Sequence, residues 1–196
     1  MYCAGRRELL LQFASLLLIS LQSLALKMQT SRPDLFVYGS LMAPEVLRVL
    51  LGRTPSMVDA TVRNFQRKRI EGEVYPGMVP SPIEGETVQG IILEGLADQD
   101  LEILDIFEES FYDKCEVTAV YCSSSIETRV LAYVWNHSSA SQLLPETWCY
   151  EEHFLPSLPR YVRMCEHFMA TDPDIQEIQA RYKMPKEAAA EQKTNN

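Results

Sequence analysis

Leu35-Phe36-Val37-Tyr38-Gly39-Ser40-Leu41 is the stretch on which the reading of this chain turns. Its first four residues are an unbroken apolar run, too short for a helix and suited to a buried strand. Gly39 and Ser40 end the run, and Pro44, with a φ already fixed for a first helical turn, opens a helix. A strand that turns into a helix leaves backbone N–H groups unpaired at the junction, and the helix start adds partial positive charge. Such a junction can cradle a carboxylate or an oxyanion. Gly39 has no Cβ, which lets the main chain approach a bound group closely.

Downstream, Val46, Leu47, Leu50 and Leu51 continue the helix and Gly52 stops it. Met57–Phe65 reads as a strand, followed by a basic turn through Arg67, Lys68 and Arg69. Tyr75-Pro76-Gly77 and Pro80-Ser81-Pro82 mark a loop outside any regular ladder. Val88–Leu93 is a strand, and Asp98 caps a helix that runs to about Phe107. Cys115–Cys122 and Arg129–Trp135, joined by a turn at Ser123–Glu127, read as a hairpin. His137–Glu146 is a polar loop. From Trp148 the chain is helical, with Tyr161, Met164, Cys165 and Phe168 on one stripe. Strands interleaved with few, short helices predict an α/β (α+β) fold, a small mixed barrel-like sheet with flanking helices.

The chain has 196 residues, enough for one domain with a full core. Its 46% hydrophobic and 23% charged composition places it among soluble globular proteins. Net charge is −9, and the body is more acidic still, because Arg6, Arg7 and Lys27 outweigh Glu8 near the N-terminus. A body with no lysine and arginine surplus cannot replace phosphate counterions, which argues against nucleic acid as a partner. Cys3, Cys115, Cys122, Cys149 and Cys165 form no C-x-x-C pair, and His137, His153 and His167 form no H-x-x-x-H pair. No metal or other cofactor is expected. Free thiols favour a reducing, cytoplasmic setting for the domain.

Leu9 to Leu26 carries no charge and is rich in leucine, and Ser23-Leu24-Ala25 is a small-x-small tripeptide of the cleavage-site kind. Gln12, Ser15, Ser20, Gln22 and Ser23 make the run marginal as a membrane span. Three readings stand: a secretory signal, an uncleaved anchor or organelle-targeting segment, and an extension upstream of a start at Met28. Only an anchor would bring a membrane into play. Residues 1–30 are therefore set apart from a domain at 31–184, and the Lys-Glu-Ala-Gln-Asn composition of 185–196 reads as a disordered tail.

A second feature lies in the helix that follows Asp98. Leu101, Leu104 and Glu108 share a face at i, i+3 and i+7, which holds a carboxylate against apolar surface. Such a carboxylate has its charged form disfavoured and its pKa raised, the tuning a general base near neutral pH requires. Solvation at the end of an amphipathic helix is the other reading of Glu108. Tyr112, four residues on, either orients that group or packs in the core. Ser40 reads as a turn or binding residue, since it lies in no Gly-x-Ser-x-Gly elbow and has no histidine near it in sequence.

Taken together, Phe36-Val37-Tyr38-Gly39-Ser40-Leu41, Gly95-Leu96, Leu104-Asp105-Ile106-Phe107-Glu108-x-x-x-Tyr112 and Tyr133-Val134-Trp135 resemble the gamma-glutamylcyclotransferase-like superfamily, in its plant-type avirulence-induced-gene branch. The resemblance spans roughly residues 34–170. It implies a small mixed barrel with a pocket at the turn and a cofactor-independent acyltransferase that releases 5-oxoproline from a γ-glutamyl amine, amino acid or small peptide. It also implies substrate binding by Val37, Tyr38, Gly39, Ser40, Leu41, Met42 and Tyr112, with Glu108 as the proton acceptor. Two positions depart from the family pattern: Glu109 stands where relatives usually have glycine, and Lys114 where arginine is more common. Glu109 supports an alternative, a non-catalytic module that binds γ-glutamyl groups or a protein on the same fold. Another amide hydrolase or acyl transferase on this scaffold is a further alternative.

Overall fold

The structure, a computed structural model, describes residues 34–194. The expectations for residues 1–30 fall outside the described residues. Five strands close a barrel: β1 (Leu35–Val37), β2 (Ser56–Arg63), β5 (Thr87–Glu94), β6 (Tyr112–Tyr121) and β7 (Glu127–Trp135). Their order is β1-β5-β2-β6-β7, with β1 parallel to β7 and every other pair antiparallel. A second sheet holds β3 (Phe65–Ile70) between β4 (Pro76–Pro80) and β8 (Leu143–Thr147). Helices α1 (Pro44–Leu51), α2 (Asp98–Glu108), α3 (Leu158–Thr171) and α4 (Pro173–Thr194) complete the chain. This is the mixed α+β barrel with flanking helices that the sequence predicts.

The opening run is apolar throughout because β1 is covered on both faces. Successive strand residues point to opposite sides. Phe36 joins Val62, Ile92 and Ala132 in one cluster, while Leu35 and Val37 join Leu47, Leu50 and Leu104 in the other. Leu35 and Phe36 are fully buried, each contributing on the order of 1.5–3 kcal/mol. A strand with a solvent face would have alternated; this one has none.

Several boundaries differ from the sequence reading, each for a local reason. Asn64, at φ 64, ends β2 and starts a new strand, so Arg67, Lys68 and Arg69 lie within β3 and not in a turn. The proline-flanked loop at residues 75–82 contains β4, an edge strand, where the missing proline N–H groups cost no ladder bond. The polar loop after His137 is a 3₁₀ turn, His137–Gln142, followed by β8. α2 is capped from within: the Ala97 N–H donates to the Asp100 carboxylate at 2.9 Å, and Asp98 is already helical. Helix α4 is described to Thr194, into the stretch whose composition reads as a tail.

Candidate active site

β1 delivers the chain to a single 3₁₀ turn, Ser40–Met42, before α1 begins at Pro44 with Ala43 as its N-cap. The helix starts at Pro44, as the sequence suggests, but the 3₁₀ turn stands between it and β1, so the Tyr38–Leu41 segment presents its own turn to the pocket. Met42 N–H bonds Gly39 carbonyl at 3.0 Å and Ala43 N–H bonds Ser40 carbonyl at 3.1 Å. As at the start of any helical turn, Ser40 and Leu41 N–H have no partner within it.

Tyr38, Gly39 and Ser40 are each held by elements that come later in the chain. The Tyr38 hydroxyl donates to the Tyr133 carbonyl at 2.5 Å and accepts from the Met78 N–H at 3.4 Å, so its ring belongs to the barrel interior. The Tyr38 carbonyl accepts from Arg67 Nη1 at 3.1 Å. Gly39 lies under Pro76: a Cβ there would sit 2.7 Å from the proline Cδ, a spacing real Cβ atoms do not adopt. Glycine is required here by protein packing, beyond any approach of a ligand. Ser40 Oγ accepts from the buried Tyr161 hydroxyl at 3.2 Å, which makes it a fixed part of the turn.

The turn opens onto a cavity of about 350 Å³. Val37, Tyr38, Gly39, Ser40 and Leu41 line it; Met42 does not, and packs instead beside the core cluster that contains Leu47. Glu108 and Tyr112 line the same cavity. They arrive there because α2 ends abruptly. Glu109 takes φ 53 and ψ −164, a backbone region close to glycine's own, and a 3₁₀ turn, Glu109–Phe111, feeds directly into β6. The glycine expected at this position in relatives has a plain reason: the backbone geometry.

Burial alone pushes the Glu108 carboxyl from its ordinary value up to about 8. Glu109 is exposed and is not among the causes of that shift. No hydrogen bond or ion pair holds Glu108 among the described residues. Around it stand phenols: burial keeps Tyr38, Tyr112 and Tyr161 well above the ordinary tyrosine range, and the Glu108 charge adds to the rise in each. All three are therefore neutral, and Tyr112 already donates to the Pro76 carbonyl at 2.9 Å. Lys114 sits outside the cavity, bonded to both Asp105 carboxylate oxygens at 2.8 and 2.6 Å.

Sequence reasoning missed Tyr75, Tyr133 and Tyr161 as cavity walls. Tyr161 lay in a helical stripe that reads as core, and it serves both purposes. Glu73 also lines the cavity, and no lysine or arginine does among the described residues.

The closed five-stranded barrel thus carries a tyrosine-walled cavity with a pinned turn on one side and a half-buried, desolvated carboxyl on the other. The chain belongs to the family described as gamma-glutamyl cyclotransferase, AIG2-like, whose pattern it matches over residues 35–151. It is 41% identical over 119 residues to AIG2-like protein C of Arabidopsis thaliana, covering 61% of this chain and 67% of that relative. Against AIG2-like protein D of the same plant it is 36% identical over 136 residues, covering 69% of this chain and 88% of the relative. A solution structure of an Arabidopsis thaliana protein, 33% identical, superposes with a TM-score of 0.54 over 72% of this chain and 93% of that one.

Proposed function

We propose that the protein is a γ-glutamylcyclotransferase that releases 5-oxoproline from a γ-glutamyl amine, amino acid or small peptide, with Glu108 moving the proton. The observation that carries this reading is one cavity holding both the Tyr38–Leu41 turn and a carboxyl raised to about 8. Because no cationic side chain lines the cavity among the described residues, the substrate's α-carboxylate or its developing oxyanion falls to backbone N–H donors of the turn.

In this reading Glu108, ionised, accepts a proton from the substrate's α-ammonium group. The freed amine attacks its own γ-carbonyl carbon, closing a five-membered ring through a tetrahedral oxyanion. Collapse of that intermediate breaks the γ-amide C–N bond as protonated Glu108 gives its proton to the leaving nitrogen. The re-ionised carboxylate then relays the extra proton of the ring nitrogen to the departing amine, which leaves as an ammonium. Atoms balance without water or any co-reactant. The nucleophile and electrophile belong to one molecule, so the cavity's task is to hold it folded. A pKa near 8 leaves roughly a tenth of Glu108 ionised at pH 7 and makes its conjugate acid a competent donor to the amine.

The non-catalytic alternative draws its support from Glu109, which lines the same cavity but is exposed and is not among the causes of the Glu108 shift. The test is incubation of the full chain with γ-glutamyl substrates, followed by mass spectrometry. Cyclisation yields 5-oxoproline, hydrolysis would yield free glutamate, and binding without product would favour the non-catalytic module.

A further inference from the structure

We propose that Arg67 is a positioning residue for catalysis: it orients the Tyr38–Gly39 peptide so that the Gly39 N–H serves the reacting carbonyl oxygen. The proposal rests on the cyclotransferase reading of the cavity and assigns a role to a side chain outside its walls. Arg67 lies in the middle of β3, opposite Met78 of β4. Its Nη1 donates to the Tyr38 carbonyl at 3.1 Å, so a charged side chain of β3 reaches the pocket turn. The Tyr38–Gly39 peptide is planar and trans, so its carbonyl and its N–H point to opposite sides of the backbone. Pinning the carbonyl on Arg67 therefore fixes the direction of the Gly39 N–H, in a residue that lines the cavity.

The guanidinium is itself braced. It stacks over the Trp148 ring, 5.3 Å from guanidinium carbon to ring centroid. Trp148 is buried, and its indole N–H donates to the Val74 carbonyl at 2.8 Å, which fixes the ring. Burial pulls the Arg67 pKa down, and the neighbouring Glu151 carboxylate acts against that loss, leaving a cation in place. A half-buried arginine spent on a backbone carbonyl, when an acidic surface offers many carboxylates, is costly unless the carbonyl's orientation matters. A charged, bidentate-capable donor stacked on an aromatic ring is also stiffer than a lysine would be at the same place. Three successive residues of the turn thus have a support: Arg67 on Tyr38, Pro76 on Gly39 and Tyr161 on Ser40.

The test compares Arg67→Met, which keeps the apolar stem against Trp148 but loses the donor, with Arg67→Lys, which restores a donor at lower precision. Both are made in the full chain, and release of 5-oxoproline from a γ-glutamyl amine is followed alongside the backbone ¹⁵N–¹H spectrum. Arg67→Met should lower kcat about thirtyfold with KM held within about threefold, short of the loss for deleting an oxyanion donor outright. Arg67→Lys should recover part of kcat, and in both variants the Gly39 amide resonance should move more than those of β7. A kcat within about twofold of wild type in Arg67→Met, or a KM that rises while kcat stays, overturns the proposal. Loss of cooperative unfolding in both variants overturns it too, by making Arg67 a folding residue. If wild-type protein releases no 5-oxoproline, the functional reading fails on its own, and an unmoved Gly39 amide in Arg67→Met separately removes the positioning role.

Discussion

The two sides of the cavity are built to opposite rules. On the turn side three successive residues have fixed partners: Arg67 and Tyr133 for Tyr38, Pro76 for Gly39, Tyr161 for Ser40. On the helix side Glu108 has no hydrogen-bond or ion-pair partner among the described residues and sits where its charge is disfavoured. Donors that stabilise charge work best when they need no rearrangement, whereas a group that shuttles a proton must remain free to change state. The contrast is what a division of labour between binding and proton transfer requires.

The most direct way to break that contrast is Glu108→Gln. It should reduce 5-oxoproline release about a thousandfold with KM little changed, measured by steady-state kinetics, because only the proton-moving side is removed. In wild type, kcat/KM should climb with pH up to about 8 as Glu108 ionises in the free enzyme. A flat profile across that range would give the proton to another group.

The same substitution should stabilise the protein. Glu108 titrates near 4.5 when unfolded and near 8 when folded, so the native state holds its proton longer than the unfolded chain. Stability is therefore complete below about pH 4.5, falls as pH rises toward 8, and levels off above. Relative to wild type, Glu108→Gln should gain about 4 kcal/mol at pH 8, or about 10 °C in Tm, and show almost no gain at pH 4.5. Equal melting temperatures at both pH values would mean that the carboxyl is not desolvated.

On the pinned side, Gly39→Ala drives a methyl group into Pro76 and should cost about 2 kcal/mol together with at least a tenfold loss in kcat. Full activity would show that the turn tolerates movement. The smallest effect is expected from Glu109→Gly, which relieves a left-handed backbone at an exposed side chain and should add about 1 kcal/mol by thermal melts. Its pH–rate profile should match wild type, because Glu109 does not set the Glu108 pKa.

Much of this contrast could be read from the sequence, and unevenly so. The apolar run 35–38, Pro44 with Gly52, and the hairpin of β6 and β7 are local patterns, and each appeared near its expected place. Glu108 was legible because helical spacing put it beside Leu101 and Leu104. The supports of the turn were not, because each comes from a distant segment: Arg67 looked like part of a solvated basic turn, Pro76 like a loop breaker, and Tyr161 like core. Pairings of that range depend on how the second sheet sits against the barrel strands, and no periodicity within one segment encodes them.

β1 is only three residues long, and its parallel partner, β7, is made far later in the chain, with Phe36 opposite Ala132. Pairings of such sequence separation carry a high entropic cost of closure and form late. During synthesis, the segment that carries Tyr38 and Gly39 leaves the ribosome long before β7, and Tyr161 follows later still. The Tyr38–Leu41 turn therefore lacks its Tyr133 and Tyr161 partners until those later segments have been made. A chain halted before α3 (Leu158–Thr171) carries the turn without the Tyr161 hydroxyl that holds Ser40.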